Sequence, residues 1–176
     1  AMAYLMTNVL SDEPARWDTW GRQNVLEIGR PAGVKPGQTV DGKDAWVVGY
    51  TPYLSVAVWS GVRGETDIIT PRYPASLWNA LMQTTSANKP NDGWSAPQGI
   101  TPITVCDPSG MLPTRECPNL VTEIFLNGSE PTQADTLFRK YAINRETGLL
   151  ATVFTPPELV DTRVYMIFPD EAREWA

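Results

Sequence analysis

The sequence predicts an α+β fold: an antiparallel sheet meander with flanking helices, followed by a small β-rich extension. Segments rich in valine and aromatic residues follow one another at residues 32–39, 45–50 and 54–60. The pairs Asp41-Gly42 and Thr51-Pro52 separate these segments, and short apolar runs broken by such residues are typical of antiparallel strands. The 13 glycines and 16 prolines of the chain also indicate many turns.

Helices are expected on both sides of the predicted strands. The apolar residues between Tyr4 and Leu10 share one helical face, and the polar residues that follow end this helix. Residues 74–86 show the same periodicity behind Pro74, a residue suited to the first turn of a helix. Between these helices, residues 23–28 form a short apolar segment that fits either a helix or a strand.

The chain divides into three predicted parts. Residues 1–88 contain the meander and its helices, and residues 89–99 are a linker by composition. Residues 100–176 form the β-rich extension. Its strands are predicted at residues 103–106, 122–126, 141–144 and 164–168, with a last helical turn at residues 169–175.

The composition excludes several kinds of chemistry. The 176 residues include no histidine and two cysteines, so this chain can build neither imidazole-dependent catalysis nor a tetrahedral Cys/His zinc site. We therefore predict no metal site and no cofactor. The formal net charge is −6 and no basic stripe is present, which argues against a nucleic-acid partner.

Pro36 indicates the length of the turn between the first two predicted strands. A two-residue turn at Asp41-Gly42 would direct the backbone nitrogens of residues 36, 38 and 40 at the partner strand, and proline has no N–H to donate. A longer turn, from about Val40 to Lys43, shifts the register by one residue. We therefore expect the backbone groups of Pro36 and Gln38 to face away from the partner strand, at a free edge.

The most specific pattern in the chain runs from residue 30 to residue 52. It reads Arg-Pro-Ala-Gly-Val-Lys-Pro-Gly-Gln-Thr and, four residues later, Asp-Ala-Trp-Val-Val-Gly-Tyr-Thr-Pro. It resembles the bifunctional, class A penicillin-binding proteins, in which Lys-Thr-Gly-Thr-Thr precedes Asp-Ala-Trp-Phe-Val-Gly-Tyr-Thr-Pro at the same spacing. Residues 56–61 and 74–82 resemble the next strand and the closing helix of that family, and residues 105–151 resemble the extension after its transpeptidase domain. The resemblance implies that residues 1–88 are the C-terminal portion of a transpeptidase domain with the penicillin-binding, β-lactamase-like fold.

The resemblance implies acyl transfer in peptidoglycan cross-linking. In the family, the serine of a Ser-x-x-Lys motif attacks the stem peptide, a Ser-x-Asn loop relays protons, and the Lys-Thr-Gly strand pairs with the extended substrate. Carried over to this sequence, Lys35 is the electrostatic and proton-relay group, and the backbone N–H of Gln38 is the oxyanion-hole donor. Pro36, Gly37 and Thr39 take the substrate-binding positions. The implied partner is a stem peptide or a β-lactam.

Two departures from the family pattern support a second hypothesis. Pro36 and Gln38 replace hydroxyl residues that in the family bind the terminal carboxylate of the substrate. The 34 residues before Lys35 contain neither Ser-x-x-Lys nor Ser-x-Asn. Ser86-Ala-Asn-Lys89 matches both motifs, but it follows Lys35 at a predicted helix end, and we interpret it as ordinary helix termination. The chain is therefore predicted to be either a transpeptidase fragment that is inactive alone, or a non-catalytic peptide- or partner-binding module or scaffold derived from that fold.

The family setting also bears on the cysteines and on localisation. The family is membrane-anchored and extracytoplasmic, which favours a disulfide between Cys106 and Cys117, worth up to about 3 kcal/mol. In a cytosolic chain, free thiols would be favoured instead. Residues 1–8 lack the features of a signal peptide, and no run of residues is long and apolar enough to suggest a membrane span.

Four aromatic side chains are predicted to pack in the core because they lie on predicted strands or a helix among apolar neighbours. They are Trp46, Tyr50, Trp59 and Trp78.

Overall fold

The structure, a computed structural model, describes residues 1–64 and 66–175. The chain forms two compact units, Ala1–Gln98 and Gly99–Ala176. The first unit has a three-stranded sheet and helices, and the second has two two-stranded antiparallel sheets. The α+β class predicted from the sequence is confirmed.

The first unit begins with short helical elements. Helix α1, Met2–Ser11, is the predicted N-terminal helix, and a 3₁₀ turn at Pro14–Arg16 leads into the short helix α2, Trp17–Trp20. Gly21 ends α2 with φ 82°, a conformation that glycine adopts without steric cost. The ambiguous segment at residues 23–28 forms neither a helix nor a strand.

The predicted meander is present as three antiparallel strands. They are β1, Gly33–Gln38, β2, Asp44–Tyr50, and β3, Ser55–Gly61, in the order β1-β2-β3. The Thr39 N–H donates to the Asp44 carbonyl at 2.9 Å and closes a turn over residues 40–43. The longer turn predicted from Pro36 is therefore confirmed, but the predicted register shift is wrong. Gln38 pairs with Ala45, as it would with a two-residue turn, and only the choice of hydrogen-bonded pairs differs.

Helix α3, Arg72–Ser86, packs on one face of β2 and β3 and encloses the core. It begins two residues before the predicted helix, which places Pro74 in its first turn. Trp78 is completely buried, and a Cβ atom added to Gly49 would lie 2.3 Å from its ring. Only glycine allows the indole to approach the strand so closely. The buried cluster consists of Leu26, Ile28, Ala32, Val34, Val47, Val58, Ala75, Trp78 and Met82.

The face of the sheet opposite α3 carries two of the four aromatic side chains that were predicted to lie in the core. Trp78 is in the core and Tyr50 is half-buried, but Trp46 and Trp59 are 46% and 54% exposed. Side chains alternate between the two faces of a strand, and Trp46 and Trp59 pair across β2 and β3 on the face away from α3. The prediction that these two tryptophans belong to the core is wrong.

The second unit consists of paired strands. Its strands are β4, Ile100–Cys106, β5, Leu120–Leu126, β6, Phe138–Asn144, and β7, Val160–Met166. The first three include the runs predicted for them. Strand β7 begins four residues before the run predicted at 164–168 and ends two residues before the end of that run. Strand β7 ends at Met166, which pairs with Phe138 at the start of β6, and the next residue, Ile167, still donates its backbone N–H to the Leu137 carbonyl at 2.7 Å. A 3₁₀ helix at Asp170–Trp175 takes the place of the predicted last helical turn.

A disulfide joins Cys106, at the end of β4, to Cys117 in the following loop. The S–S distance is 2.00 Å and the two Cα atoms are 5.8 Å apart. Cys106 is completely buried. The bridge therefore links the interior of the second unit to a loop without regular structure.

No helix in the described ranges is long and apolar enough to cross a membrane.

Candidate functional site: the free edge of strand β1

Strand β1 lies at the edge of its sheet, and its outer side pairs with no other strand of the described chain. Hydrogen-bonded and non-hydrogen-bonded pairs alternate along an antiparallel ladder. The Thr39 amide bonds to Asp44, so the backbone groups of the alternate residues 37 and 35 also bond to β2. The backbone groups of residues 36 and 38 therefore point outward. This outward direction explains why Pro36 is tolerated, because a nitrogen without hydrogen at this position removes no ladder hydrogen bond.

The structure places the predicted lysine and substrate positions along this edge. Lys35 is exposed and pairs with Val48, on the face of the sheet opposite α3. Pro36 is half-buried and Gly37 is exposed, with open space where a Cβ atom would lie. The Thr39 hydroxyl accepts a hydrogen bond from the Asp44 amide at 3.0 Å, so it takes part in the turn.

Gln38 has two different environments. Its backbone N–H points outward from the edge, as the ladder pattern requires. Its side chain does not, because the amide nitrogen Nε2 donates to the Ile69 carbonyl at 2.5 Å. The backbone donor of Gln38 is thus available at the edge, while its side chain is anchored within the first unit.

A cavity of about 450 Å³ runs beside the first half of the edge. The cavity is lined by three consecutive residues of β1. Because consecutive side chains point to opposite faces of the sheet, a cavity that touches all three lies along the edge itself. Its opposite wall is built by the end of α1, the 3₁₀ turn and α2. The lining residues are Val9, Leu10, Asp12, Ala15, Arg16, Thr19, Trp20, Val34, Lys35 and Pro36.

Arg16 is a site residue that the sequence analysis did not identify. Its Nη1 donates to the Leu10 carbonyl at 2.9 Å, and its Nε is buried without a hydrogen-bond partner among the described residues. Asp12, the carboxylate of the same wall, accepts a hydrogen bond from the Ala15 amide at 3.4 Å. No motif marks Arg16, because its proximity to Lys35 arises only when α1 and the 3₁₀ turn pack beside β1.

The Ser86-Ala-Asn-Lys89 segment lies at the end of α3, as the sequence predicts. Ser86 is the last residue of the helix and is fully buried, and Lys89 is exposed. The Ser86 Oγ has no hydrogen-bond partner within the described part of the chain. Within the same described part, no group of three or more His, Cys, Asp or Glu side chains could hold a metal ion.

Amide hydrogen exchange tests the direction of the edge groups. The Gln38 amide should exchange much faster than the amides of Gly37 and Thr39, because only the latter two donate to β2. Exchange measured by NMR on the full chain gives all three rates from one sample. Protection of Gln38 equal to that of its two neighbours would contradict the free edge.

Comparisons with known proteins agree with this architecture. Residues 96–140 match the family model described as penicillin-binding protein 1A, C-terminal domain. The chain is also similar to a solved structure, that of penicillin-binding protein 1A from Haemophilus influenzae, with a TM-score of 0.57 and 22% sequence identity. That match covers 74% of this chain and 20% of the solved one.

Curated relatives extend the similarity over most of the chain. Penicillin-binding protein 1A of Clostridium botulinum (strain Langeland) is 34% identical over 140 residues, which cover 75% of this chain and 17% of that protein. The protein of the same name from Clostridium novyi is 29% identical over 171 residues, covering 93% of this chain and 20% of the relative. The chain thus spans about a fifth or less of the length of these relatives.

The fold and the sequence matches define one class of protein, the penicillin-binding proteins. The chain belongs to the class A penicillin-binding proteins, and it corresponds to the C-terminal part of those enzymes, including their C-terminal domain.

Proposed function

We propose that this chain supplies the substrate-strand half of a peptidoglycan cross-linking site, in which β1 holds a stem peptide for acyl transfer. The observation that carries the proposal is the free edge of β1, with the Gln38 N–H directed outward and Lys35 on the same strand. An extended peptide binds to such an edge by adding a strand, so that main-chain hydrogen bonds give affinity. The proposed setting of the site is extracytoplasmic, as in the family.

Charge supports a peptide with a terminal carboxylate as the ligand. The cavity beside the edge is lined by two cationic side chains, Lys35 and Arg16, and by one carboxylate, Asp12. The Arg16 guanidinium lines this cavity, and a charge-assisted hydrogen bond from such a group to an anion is about twice as strong as a neutral one. We propose that Arg16 performs part of the carboxylate recognition that the hydroxyls replaced by Pro36 and Gln38 provide in the family.

On this proposal the 176 residues are inactive by themselves. The acyl-enzyme requires a nucleophilic serine next to the strand, and the only Ser-x-x-Lys match here is the segment ending at Lys89. Its Ser86 is buried at the end of α3, where no substrate can reach the hydroxyl. The serine half of the site is proposed to lie in another segment of the complete enzyme.

Labelling with a fluorescent penicillin tests this inactivity. The 176-residue chain should form no covalent adduct, and a complete class A penicillin-binding protein provides the positive control. An adduct would contradict the proposal. In that case the variant Ser86→Ala would show whether Ser86 is the acylated residue.

Two variants of Gln38 test the use of the edge. Gln38→Ala keeps the backbone N–H and removes the side chain. Gln38→Pro removes the backbone N–H. Like the nitrogen of Pro36, the nitrogen of residue 38 faces outward, so this change removes no hydrogen bond to β2. Binding of a peptide ending in D-Ala-D-Ala, followed by NMR shifts of β1 amides, should persist in Gln38→Ala and weaken at least about tenfold in Gln38→Pro. Equal binding by both variants would exclude the Gln38 N–H as a ligand donor.

The anchored side chain of Gln38 favours a second candidate function, a non-catalytic peptide- or partner-binding module. Its Nε2 is directed at the Ile69 carbonyl, so the side chain does not extend along the edge as the hydroxyl of the family does. A site that has lost the donors for its ligand loses affinity by orders of magnitude. In this case, peptides that lack a terminal carboxylate should bind the edge as well as those that carry it.

A further inference from the structure

Strand β7 has a free outer edge in the second unit, because it pairs with β6 alone among the described residues. The Ile167 amide donates to the Leu137 carbonyl at 2.7 Å. The Arg145 amide donates to the Leu159 carbonyl at 3.0 Å. These two bonds place the odd-numbered residues of β7 in the hydrogen-bond ladder with β6, so the backbone groups of its even-numbered residues point outward.

This edge lacks the usual means of protection. Natural sheets block their edges with proline, with lysine or with a covering loop. Strand β4 contains Pro102, whereas Val160–Met166 contains neither proline nor lysine. Its apolar side chains are also accessible on both faces, since Val160, Val164 and Tyr165 are 39%, 42% and 39% exposed. A two-stranded sheet is only marginally stable in water, so a further strand would stabilise this one.

The charges of β7 favour a second copy of the same strand as its partner. Asp161 and Arg163 lie on one face, where the Arg163 Nε donates to the Asp161 Oδ2 at 3.1 Å. In an antiparallel pair, outward residues must meet outward residues. The longest such alignment, with residue 160 opposite residue 166, would place each Arg163 against its own copy. A shift of two residues places residue 162 opposite itself, and each Asp161 then faces Arg163 of the second copy.

We propose that β7 pairs with β7 of a second copy, antiparallel about Thr162, in a twofold-symmetric sheet of the order β6-β7-β7-β6. Thr162 pairs with itself and Val160 with Val164, and each such pair exchanges two main-chain hydrogen bonds. The Thr162 amide, which in the single chain donates to the Asp161 Oδ1 at 2.8 Å, then donates to the second copy. Asp161 and Arg163 form the non-hydrogen-bonded pair, in which side chains are closest, so each carboxylate lies between two guanidiniums.

Sedimentation equilibrium of the full chain over a range of concentrations tests the association. The chain should convert reversibly from monomer to dimer as its concentration rises. In amide exchange followed by NMR, the Val164 amide should become slower to exchange over the same range, because only the dimer gives it a partner. The Arg163 amide, which is bonded to β6 in both states, should not change. A chain that stays monomeric at every concentration would overturn the proposal and leave the edge to a strand of a different protein.

Two charge reversals test the register of the pair. Asp161→Arg leaves only cations at positions 161 and 163, and Arg163→Asp leaves only anions there. Each variant alone should dimerise at least about tenfold more weakly, because like charges then face each other across the strands. An equal mixture of the two variants should regain the association, because the cations of one face the anions of the other. A mixture that associates no better than either variant alone would overturn the proposed pairing.

Glu123→Arg is the matched control. It makes the same charge change as Asp161→Arg on an exposed residue of β5, and it should leave dimerisation unchanged. Net charge alone predicts the opposite result, because replacing an acidic residue with arginine reduces the repulsion between two copies of this acidic chain. Equal effects of Glu123→Arg and Asp161→Arg would therefore overturn the proposal. The concentration dependence of the unmodified chain decides whether it dimerises even if a variant does not fold.

Discussion

Replacing Trp78 with alanine is expected to lower the free energy of unfolding of the first unit by about 3–5 kcal/mol. Trp78 is completely buried between α3 and the sheet, and its Nε1 donates to the Val56 carbonyl at 3.2 Å. Its removal leaves a large cavity in the core, together with an unpaired carbonyl. Urea denaturation followed by NMR signals of β2 measures the change.

The adjacent residue provides the control for this substitution. Leu77 lies on the same helix but is 54% exposed, so Leu77→Ala should change the free energy of unfolding by less than about 1 kcal/mol. If the two variants were equally stable, Trp78 would not be the centre of the core.

Reduction of the Cys106–Cys117 disulfide is expected to lower the free energy of unfolding of the second unit by about 3 kcal/mol. The bridge spans 11 positions of sequence, and opening it releases the unfolded chain from a closed loop. Urea titration with and without a reductant, followed by NMR signals of β4 and of β2, measures the two units in one sample. The β4 transition should shift to lower urea concentration.

The first unit acts as the internal control for reduction, because both cysteines lie in the second unit. Its β2 transition should not move. The variant Cys117→Ser, which removes the half-buried partner of the bridge and leaves the buried Cys106 in place, should reproduce the effect of the reductant. Identical β4 transitions in oxidised, reduced and Cys117→Ser chains would show that the bridge does not stabilise the unit.

Much of the first unit could be predicted because its sequence signals are local. Pro36 alone determined the length of the β1–β2 turn, since a proline nitrogen cannot face a partner strand. The direction of the Gln38 backbone followed from the same argument. The helix at 74–86 followed from its periodicity, and its start was misplaced by two residues because Pro74 is equally suited to the third position of the first turn.

Other features depend on which elements meet in space, and a single sequence does not encode that directly. Trp46 and Trp59 have apolar neighbours in the chain, yet only one face of the sheet is covered by α3. Arg16 carries no motif at all. It becomes notable only when packing places it on the wall of the cavity that Lys35 also lines.

The contact between Gly49 and Trp78 has a consequence for sequence variation in this family. A side chain at residue 49 would collide both with the indole and with the Gly33 carbonyl, whose distance from the added Cβ atom would be 2.9 Å. Gly49 also pairs with Val34, the neighbour of Lys35 in β1. A smaller residue at 78 would relieve only the collision with the indole, so residue 49 should remain glycine in homologues whatever residue stands at 78, because any side chain there would displace the strand that carries Lys35.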